Sequence, residues 1–185
     1  QVAGDGVRES AAGVTLARRA YLVTGAGGRI GRAIWNRLGC RGDDPRGFDR
    51  SPGPAVQWLA DLGDEAVLRR ALAGVEAVVH TAALHAPHVG CIADAEFQRI
   101  NVDATRRLLD LAVAADVPRI VFTSTTALYG DAAIAPGRAV WVDEALVPAP
   151  RTIYHRTKLA AEALLCEAAA QGGPLPGMLK RFAMR

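Results

Sequence analysis

A tyrosine and a lysine four residues apart, Tyr154 and Lys158, belong to the residue types that transfer protons. Residues four apart on a helix share one face, so the two side chains would lie together. A tyrosine has a solution pKa of about 10, and a nearby ammonium favours its phenolate, which could take the proton of a substrate hydroxyl. A hydroxyl from Ser124 or Thr125 could orient the same oxygen. The same spacing also arises by chance in many helices.

Residues 21–34 begin with an apolar run, which is followed by a glycine cluster. After the cluster, apolar residues recur at the spacing of a helix. This pattern predicts a strand, a tight turn and a helix. The glycines allow close backbone approach, and the helix N-terminus attracts an anion such as a dinucleotide pyrophosphate. Because Gly25, Gly28 and Gly31 give G-x-x-G-x-x-G rather than the common G-x-G-x-x-G, an ordinary structural turn is the alternative. The lysine of a P-loop is missing, which disfavours a nucleoside triphosphate site.

An acidic residue, Asp49, lies 18 residues beyond Gly31. This is close to the place where an acidic residue at the end of a second strand accepts hydrogen bonds from an adenosine ribose. A carboxylate there would repel a 2′-phosphate, so the position favours NAD over NADP. The neighbouring Arg50 leaves NADP open, and an ordinary surface aspartate in a turn is the other alternative.

Strand-like and helix-like segments alternate along the chain. Beyond a turn at 42–45, strands are predicted to end at 47–49 and to run over 55–59, 77–80 and 119–123. Helices are predicted over 64–73, 94–115 and 153–170, the last of them capped by Thr152. The alternation predicts an α/β fold, a doubly wound Rossmann-type parallel sheet with ligands at the carboxyl ends of its strands. The small residues Ala82 and Ala83 would let a cofactor lie close to the backbone there, or would serve packing alone.

Length and composition restrict the class of protein. With 185 residues, 50% hydrophobic and 22% charged, we expect one domain over residues 20–185, preceded by an N-terminal arm of residues 1–19. The net charge is only +3 and the arginines are scattered, which disfavours nucleic acid as a partner. The sequence shows neither an apolar run of membrane-spanning length nor a signal-peptide pattern, so we expect no membrane partner and a cytoplasmic location.

The cysteines and histidines do not favour a metal site. Cys40, Cys91 and Cys166 lie far apart, so neither a disulfide framework nor a zinc knuckle is expected, and we predict buried thiols. His85 and His88 precede Cys91 at a spacing that could suggest metal ligands. A substrate contact or an ordinary polar loop is favoured instead, and we expect no metal.

In their order, these segments resemble the short-chain dehydrogenase/reductase superfamily, in particular its extended NAD-dependent epimerase/dehydratase branch. The similarity covers about residues 20–182. The matching segments are TGAGGRIG at 24–31, Asp49, Asp61-Leu62, HTAA at 80–83, NVDAT at 101–105, STTALYG at 124–130 and YHRTK at 154–158.

The resemblance implies a role for each candidate catalytic residue. Tyr154 would be the acid/base, and Lys158 would bind the nicotinamide ribose and lower the pKa of the tyrosine. Thr125 would be the catalytic hydroxyl, because it stands five residues before the glycine that matches the family motif, with Ser124 as second choice. Asn101 would support the active-site backbone and a water molecule.

The resemblance also implies NAD as the cofactor. The residues that would contact it are Gly25, Gly28, Arg29, Ile30 and Gly31 at the pyrophosphate turn, Asp49 at the ribose, Asp61 and Leu62 at the adenine, and Ala82, Ala83, Tyr154 and Lys158.

The activity implied is that of an NAD-dependent oxidoreductase or epimerase acting on a sugar, nucleotide sugar or similar secondary alcohol. The family pairs subunits through helices matching about 94–115 and 153–170, so the full-length protein would form a homodimer. A non-catalytic NAD-sensing module is the alternative.

Two departures from the family pattern qualify this expectation. Thr126 and Ala127 stand where 4,6-dehydratases carry an acidic residue, which disfavours that elimination. Residues 178–183 resemble the strand before the substrate segment, with Ala183 in place of a common asparagine, and the chain ends at Arg185. We therefore expect the C-terminal substrate domain to be largely absent from this chain.

Overall fold

The strands of the chain form one parallel sheet. The computed structural model describes residues 18–133, 141–143 and 145–171. Its strands are β1 (Ala20–Thr24), β2 (Asp44–Asp49), β3 (Trp58–Leu59), β4 (Ala77–His80) and β5 (Arg119–Phe122), in the order β3-β2-β1-β4-β5. All pairings are parallel, and β1 lies between β2 and β4. The chain therefore leaves β1 in one direction and later returns to its other side, which creates a switch point at the carboxyl edge of the sheet.

Helices connect the strands and cover both faces of the sheet, which confirms the predicted doubly wound fold. They are α1 (Arg29–Cys40), α2 (Glu65–Leu72), α3 (Asp94–Gln98), α4 (Ala104–Ala114) and α5 (Ile153–Ala170), with short 3₁₀ segments at Ala86–His88 and Thr126–Ala133. Thr152 caps α5 as predicted, since its hydroxyl accepts a hydrogen bond from the His155 amide at 3.3 Å.

Side chains of the central strands point alternately to the two faces of the sheet, so the buried residues form two cores. Leu22 of β1 and Val78 of β4 belong to the larger core with α2, α4 and α5. The next residue along β1, Val23, faces the other way and packs with Leu38 of α1. Because successive side chains of a strand point to opposite faces, each central strand contributes to both cores. This packing fixes the carboxyl edge, where the candidate residues lie.

The predicted helix over 94–115 differs from the observed one in its middle. A π-helical turn at Arg99–Asp103 joins α3 to α4. Such a turn holds one residue more than an α-helical turn, so it changes the direction of the side chains within it. It contains Asn101, which is 2% exposed and turned towards the loop after β4.

Several local predictions were wrong. The turn predicted at 42–45 is shorter, because Asp44 already pairs with Ala20 in the sheet. The strand predicted at 55–59 is reduced to Trp58–Leu59. All three cysteines are exposed rather than buried, since Cys40 ends α1, Cys91 lies in a loop and Cys166 lies on the outer side of α5.

Some predictions fall outside the described residues. These are most of the N-terminal arm, part of the loop after β5, and the segment at 178–183. None of the helices in the described part of the chain has the length and apolar composition needed to cross a membrane.

Candidate active site

The glycine turn between β1 and α1 is packed too tightly for side chains. Gly25 has a φ of +72°, and a Cβ there would lie 2.7 Å from the amide nitrogen of Ala82. A Cβ on Gly31 would lie 2.2 Å from the carbonyl oxygen of Gly25. Gly28 precedes α1 and supplies no side-chain cap to its first turn. The amides of residues 25–28 are hydrogen-bonded within the protein, so the N–H groups that could face a pyrophosphate are those of the first turn of α1, which starts at Arg29.

Asp49 lies beside this turn, at the end of β2. One carboxylate oxygen accepts a hydrogen bond from the Gly27 amide at 3.0 Å, and the other accepts one from the Ser51 amide at 2.8 Å. The structure thus brings together the two features that the sequence predicted, the glycine turn and the acidic residue 18 positions beyond it. Arg29 and Ile30 begin α1 on the same edge, with Ile30 39% exposed.

Asp61 and Leu62 are predicted to lie near an adenine. The side chain of Asp61 has polar partners, whereas that of Leu62 lies in the core. The Asp61 carboxylate accepts hydrogen bonds from the Gly63 amide at 2.7 Å and from Arg99 Nη1 at 3.3 Å. Burial raises the pKa of Asp61, but these two donors together hold it below its ordinary value. Leu62 is 7% exposed and its side chain packs in the larger core.

The residues after β4 support the glycine turn directly. The hydroxyl of Thr81 donates to the carbonyl oxygen of Thr24 at 2.7 Å, and the amide of Ala82 donates to the Thr24 hydroxyl at 3.4 Å. The backbone of Ala82 packs against Gly25, which leaves no room for a Cβ on the glycine. Ala83 follows on the same edge.

A buried histidine in this region, to which the sequence pattern assigned no role, links two parts of the site. His80 is fully buried, and its Nδ1 lies 2.6 Å from the Thr24 hydroxyl while its Nε2 lies 3.0 Å from that of Thr105. Because Thr105 donates to the Asn101 carbonyl at 2.8 Å, its oxygen is left to accept from Nε2–H. Burial, with a smaller effect from the charge of Lys158, lowers the pKa of His80 to about 3. The neutral ring therefore connects β1, the strand before the glycine turn, to the first turn of α4.

Asn101 connects the π-helical turn to the helix that carries Tyr154. Its side chain accepts from the Leu84 amide at 2.8 Å and donates to the Leu84 carbonyl at 2.9 Å. It also donates to the Thr157 hydroxyl at 3.1 Å, and the proton of that hydroxyl is shared between the backbone carbonyls of Ile153 at 2.9 Å and Tyr154 at 3.1 Å. Asn101 thus fixes both the loop after β4 and the first turn of α5.

Tyr154 and Thr125 are brought together, as the sequence predicted. Their side chains are hydrogen-bonded to each other. Burial raises the pKa of Tyr154 above its ordinary value, and the hydrogen bond with Thr125 offsets part of that rise. Ser124, the second choice for this hydroxyl, is buried beside Glu162 instead and lowers the pKa of that carboxyl. The structure therefore favours Thr125 as the partner of the tyrosine.

Lys158 shares the helix with Tyr154, but its head group has other partners. Its ammonium donates to the backbone carbonyl of Thr123 at 2.5 Å and lies 3.8 Å from the centroid of the Phe122 ring. Burial lowers the pKa of Lys158 to about 7, although the charge of Glu162 acts in the opposite direction. The expectation that Lys158 lowers the pKa of Tyr154 is not met in this structure, where that pKa is raised and the cation lies at the end of β5.

His85 and His88 pair with each other in the loop after β4. The His85 amide donates to His88 Nδ1 at 3.1 Å, and the ring centroids are 4.5 Å apart. The pKa of His88 is lowered, chiefly by burial and also by the charges of His85 and Arg50. Within the described residues, no three His, Cys, Asp or Glu side chains are grouped so that they could hold a metal ion.

Comparison with known proteins is consistent with this geometry. The model of the NAD dependent epimerase/dehydratase family matches residues 21–182. An NAD-dependent glucose-6-phosphate dehydrogenase of Haloferax volcanii is 32% identical over 163 residues, which are 77% of this chain and 60% of that protein. A 3β-hydroxysteroid dehydrogenase/Δ5→4-isomerase of Mycobacterium tuberculosis is 33% identical over 171 residues, 85% of this chain and 44% of that protein.

A solved structure extends the comparison to a bound cofactor. A short-chain dehydrogenase/reductase superfamily protein from Agrobacterium tumefaciens, crystallised with NAD, superposes with a TM-score of 0.76 at 34% identity. The match covers 89% of this chain and 49% of that structure. The chain therefore spans 60% or less of the length of each of these three proteins.

Proposed function

Since the chain belongs to the NAD-dependent epimerase/dehydratase family, we propose that its protein is an NAD-dependent oxidoreductase or epimerase acting on a secondary alcohol of a sugar, nucleotide sugar or similar molecule. The observation that carries the proposal is the hydrogen bond between Tyr154 and Thr125 at the same sheet edge as the glycine turn. A proton-transferring pair would thus lie on the ligand-binding side of a dinucleotide fold.

The residues present fit NAD, because the close packing at Gly25 and Gly31 brings the N-terminus of α1 to the turn, where its first N–H groups could bind a pyrophosphate. We propose that the pyrophosphate contacts Gly25, Gly28, Arg29, Ile30 and Gly31. Asp49 would contact the ribose, and Asp61 and Leu62 would contact the adenine. The cofactor would also lie close to the backbone at Ala82 and Ala83. When bound, NAD accepts and can return a hydride.

In the proposed mechanism, Tyr154 exchanges a proton with the substrate hydroxyl, and Thr125 holds that oxygen in place by hydrogen bonding. Burial keeps the phenol protonated at neutral pH, which suits proton donation in the reducing direction. Asn101 keeps Tyr154 in position through the Thr157 hydroxyl. Lys158 would hold the nicotinamide ribose from the end of β5.

The test is oxidation by the full-length protein of a panel of sugars, sugar phosphates, nucleotide sugars and hydroxysteroids, followed by the absorbance of NADH. We expect turnover with a sugar-type alcohol, and a homodimer as the active form. Turnover with hydroxysteroids alone would contradict the proposed substrate class. NAD binding without turnover of any alcohol would favour the NAD-sensing alternative.

A second prediction concerns the choice of cofactor. The carboxylate of Asp49, fixed by Gly27 and Ser51, would face the 2′-phosphate of NADP, so NAD should bind at least about tenfold more tightly. Asp49→Asn removes the charge at nearly constant shape and should reduce this preference. Asp44→Asn, at the opposite end of β2, is the matched control and should not change it. Calorimetric titration that shows equal or tighter binding of NADP to the unaltered protein would remove this role from Asp49.

A further inference from the structure

Three polar side chains are buried together behind the candidate active site. Ser124 is 7% exposed, and Lys158 and Glu162 are each 3% exposed. Lys158 and Glu162 are four residues apart on α5, so they lie on one face of the helix. Ser124, which follows β5, acts on the pKa of Glu162, whereas its neighbour Thr125 acts on that of Tyr154. The two adjacent hydroxyls therefore serve two different ionisable residues.

The residue types in this cluster depend on one another. Burial of a charge is costly unless a partner compensates for it. The charge of Glu162 raises the pKa of Lys158, against the larger effect of burial. Burial raises the pKa of Glu162, and both the nearby Ser124 hydroxyl and the charge of Lys158 oppose that rise. Each group thus favours the charged form of the other.

We propose that Glu162, buried beside Ser124, is a positioning residue that keeps the Lys158 side chain charged and directed at the end of β5. Lysine suits this place because its protonation can be adjusted by the surroundings, unlike that of arginine. Only two of the 22 basic residues of the chain, Lys158 and Lys180, are lysines. The consequence for NAD rests on the proposed function, in which the charged Lys158 holds the nicotinamide ribose.

The other titratable groups around Lys158 do not supply this negative charge. His80 of β4 faces Lys158 and is neutral at physiological pH, since its pKa is about 3. Tyr154, one helical turn before Lys158, keeps its proton at neutral pH because its pKa is raised. Thr123 contributes a carbonyl oxygen and Phe122 a ring face. Among the described groups facing Lys158, Glu162 is thus the source of compensating charge.

The small number of lysines permits a direct test. In the 185-residue chain labelled with [13C]lysine, the Cε signals of Lys158 and Lys180 can be followed against pH, and Lys180→Arg identifies the second signal. We expect Lys158 to titrate near pH 7. Glu162→Gln should lower that midpoint by about one pH unit or more, and Glu162→Asp by less. Ser124→Ala should lower it partly, because Glu162 would then hold its own proton more tightly.

The control is Glu167→Gln, which makes the same change at an exposed position of α5 and should leave the midpoint unchanged. Circular dichroism melts show whether each variant is folded. If Glu162→Gln does not fold, Glu162→Asp and Ser124→Ala decide the question. A midpoint for Lys158 that is the same in the unaltered chain and in the folded Glu162 and Ser124 variants would overturn the proposal.

Calorimetry with NAD separates this inference from the proposed function. If charged Lys158 holds the cofactor, affinity falls as the pH rises through its midpoint, and Glu162→Gln moves that fall to lower pH. A shifted lysine titration with no change in the pH dependence of NAD affinity would leave Glu162 as the counter-ion. It would refute only the cofactor role proposed for Lys158.

Discussion

Replacement of Tyr154 by phenylalanine in the full-length protein is expected to lower kcat on the order of 10² to 10⁴ while leaving NAD affinity nearly unchanged. The substitution keeps the ring and its packing but deletes the oxygen that is hydrogen-bonded to Thr125. In the oxidative direction the phenolate is the active form, and the pKa of Tyr154 is raised. The rate of the unaltered enzyme should therefore increase with pH through the alkaline range. This increase should be absent in the variant.

The matched control is Tyr21→Phe, which makes the same chemical change on β1 away from the carboxyl edge. We expect it to keep both the rate and the pH profile. A Tyr154→Phe variant that retains nearly full activity and the same profile would show that this tyrosine does not transfer the proton. The pairing of Tyr154 with Lys158 on α5 would then be coincidental, and the NAD-sensing alternative would be the better explanation.

The parts of the site that could be predicted from the sequence are those encoded locally. The spacing of Gly25 and Gly31 indicates a tight turn between a strand and a helix, which the local sequence shows without knowledge of the Thr81 and Ala82 atoms that pack against it. The end of β2 at Asp49 follows from the length of one helix and one strand, so spacing alone located the carboxylate beside the turn. The helical period likewise placed Tyr154 and Lys158 on one side of α5.

Other parts depend on partners that are distant in sequence. The helical period restricts the face from which Lys158 emerges, but its long side chain ends at the carbonyl of Thr123, 35 residues earlier. The partners of His80, Thr24 and Thr105, are 56 and 25 residues away. A single histidine at the end of an apolar strand gives no indication of either contact. The sequence does indicate one contact of this group. Thr105 lies four residues after Asn101, so on a helix its hydroxyl can donate a hydrogen bond to the Asn101 carbonyl.

Replacement of Gly31 by alanine is expected to weaken NAD binding by about 10-fold to 100-fold. The added Cβ would lie 2.2 Å from the carbonyl oxygen and 2.7 Å from the carbonyl carbon of Gly25, both of which are backbone atoms. It would also lie 2.9 Å from the hydroxyl of Thr81, which is hydrogen-bonded to Thr24. The turn and the start of α1 must therefore move apart, and the N–H groups that would face the pyrophosphate lose their arrangement. Calorimetric titration with NAD measures the loss.

Gly39→Ala distinguishes this effect from a general response of α1 to a larger residue. Gly39 lies in the last turn of the same helix, where an added Cβ would meet only the Pro45 ring, at 3.8 Å, an ordinary contact. Because alanine is the better helix former by about 0.5–1 kcal/mol, this variant should melt at the same or a higher temperature and bind NAD normally. Equal NAD affinity in folded Gly31→Ala and Gly39→Ala proteins would mean that close approach of α1 to Gly25 is not needed for the cofactor. The pyrophosphate would then have to be held elsewhere than at this turn.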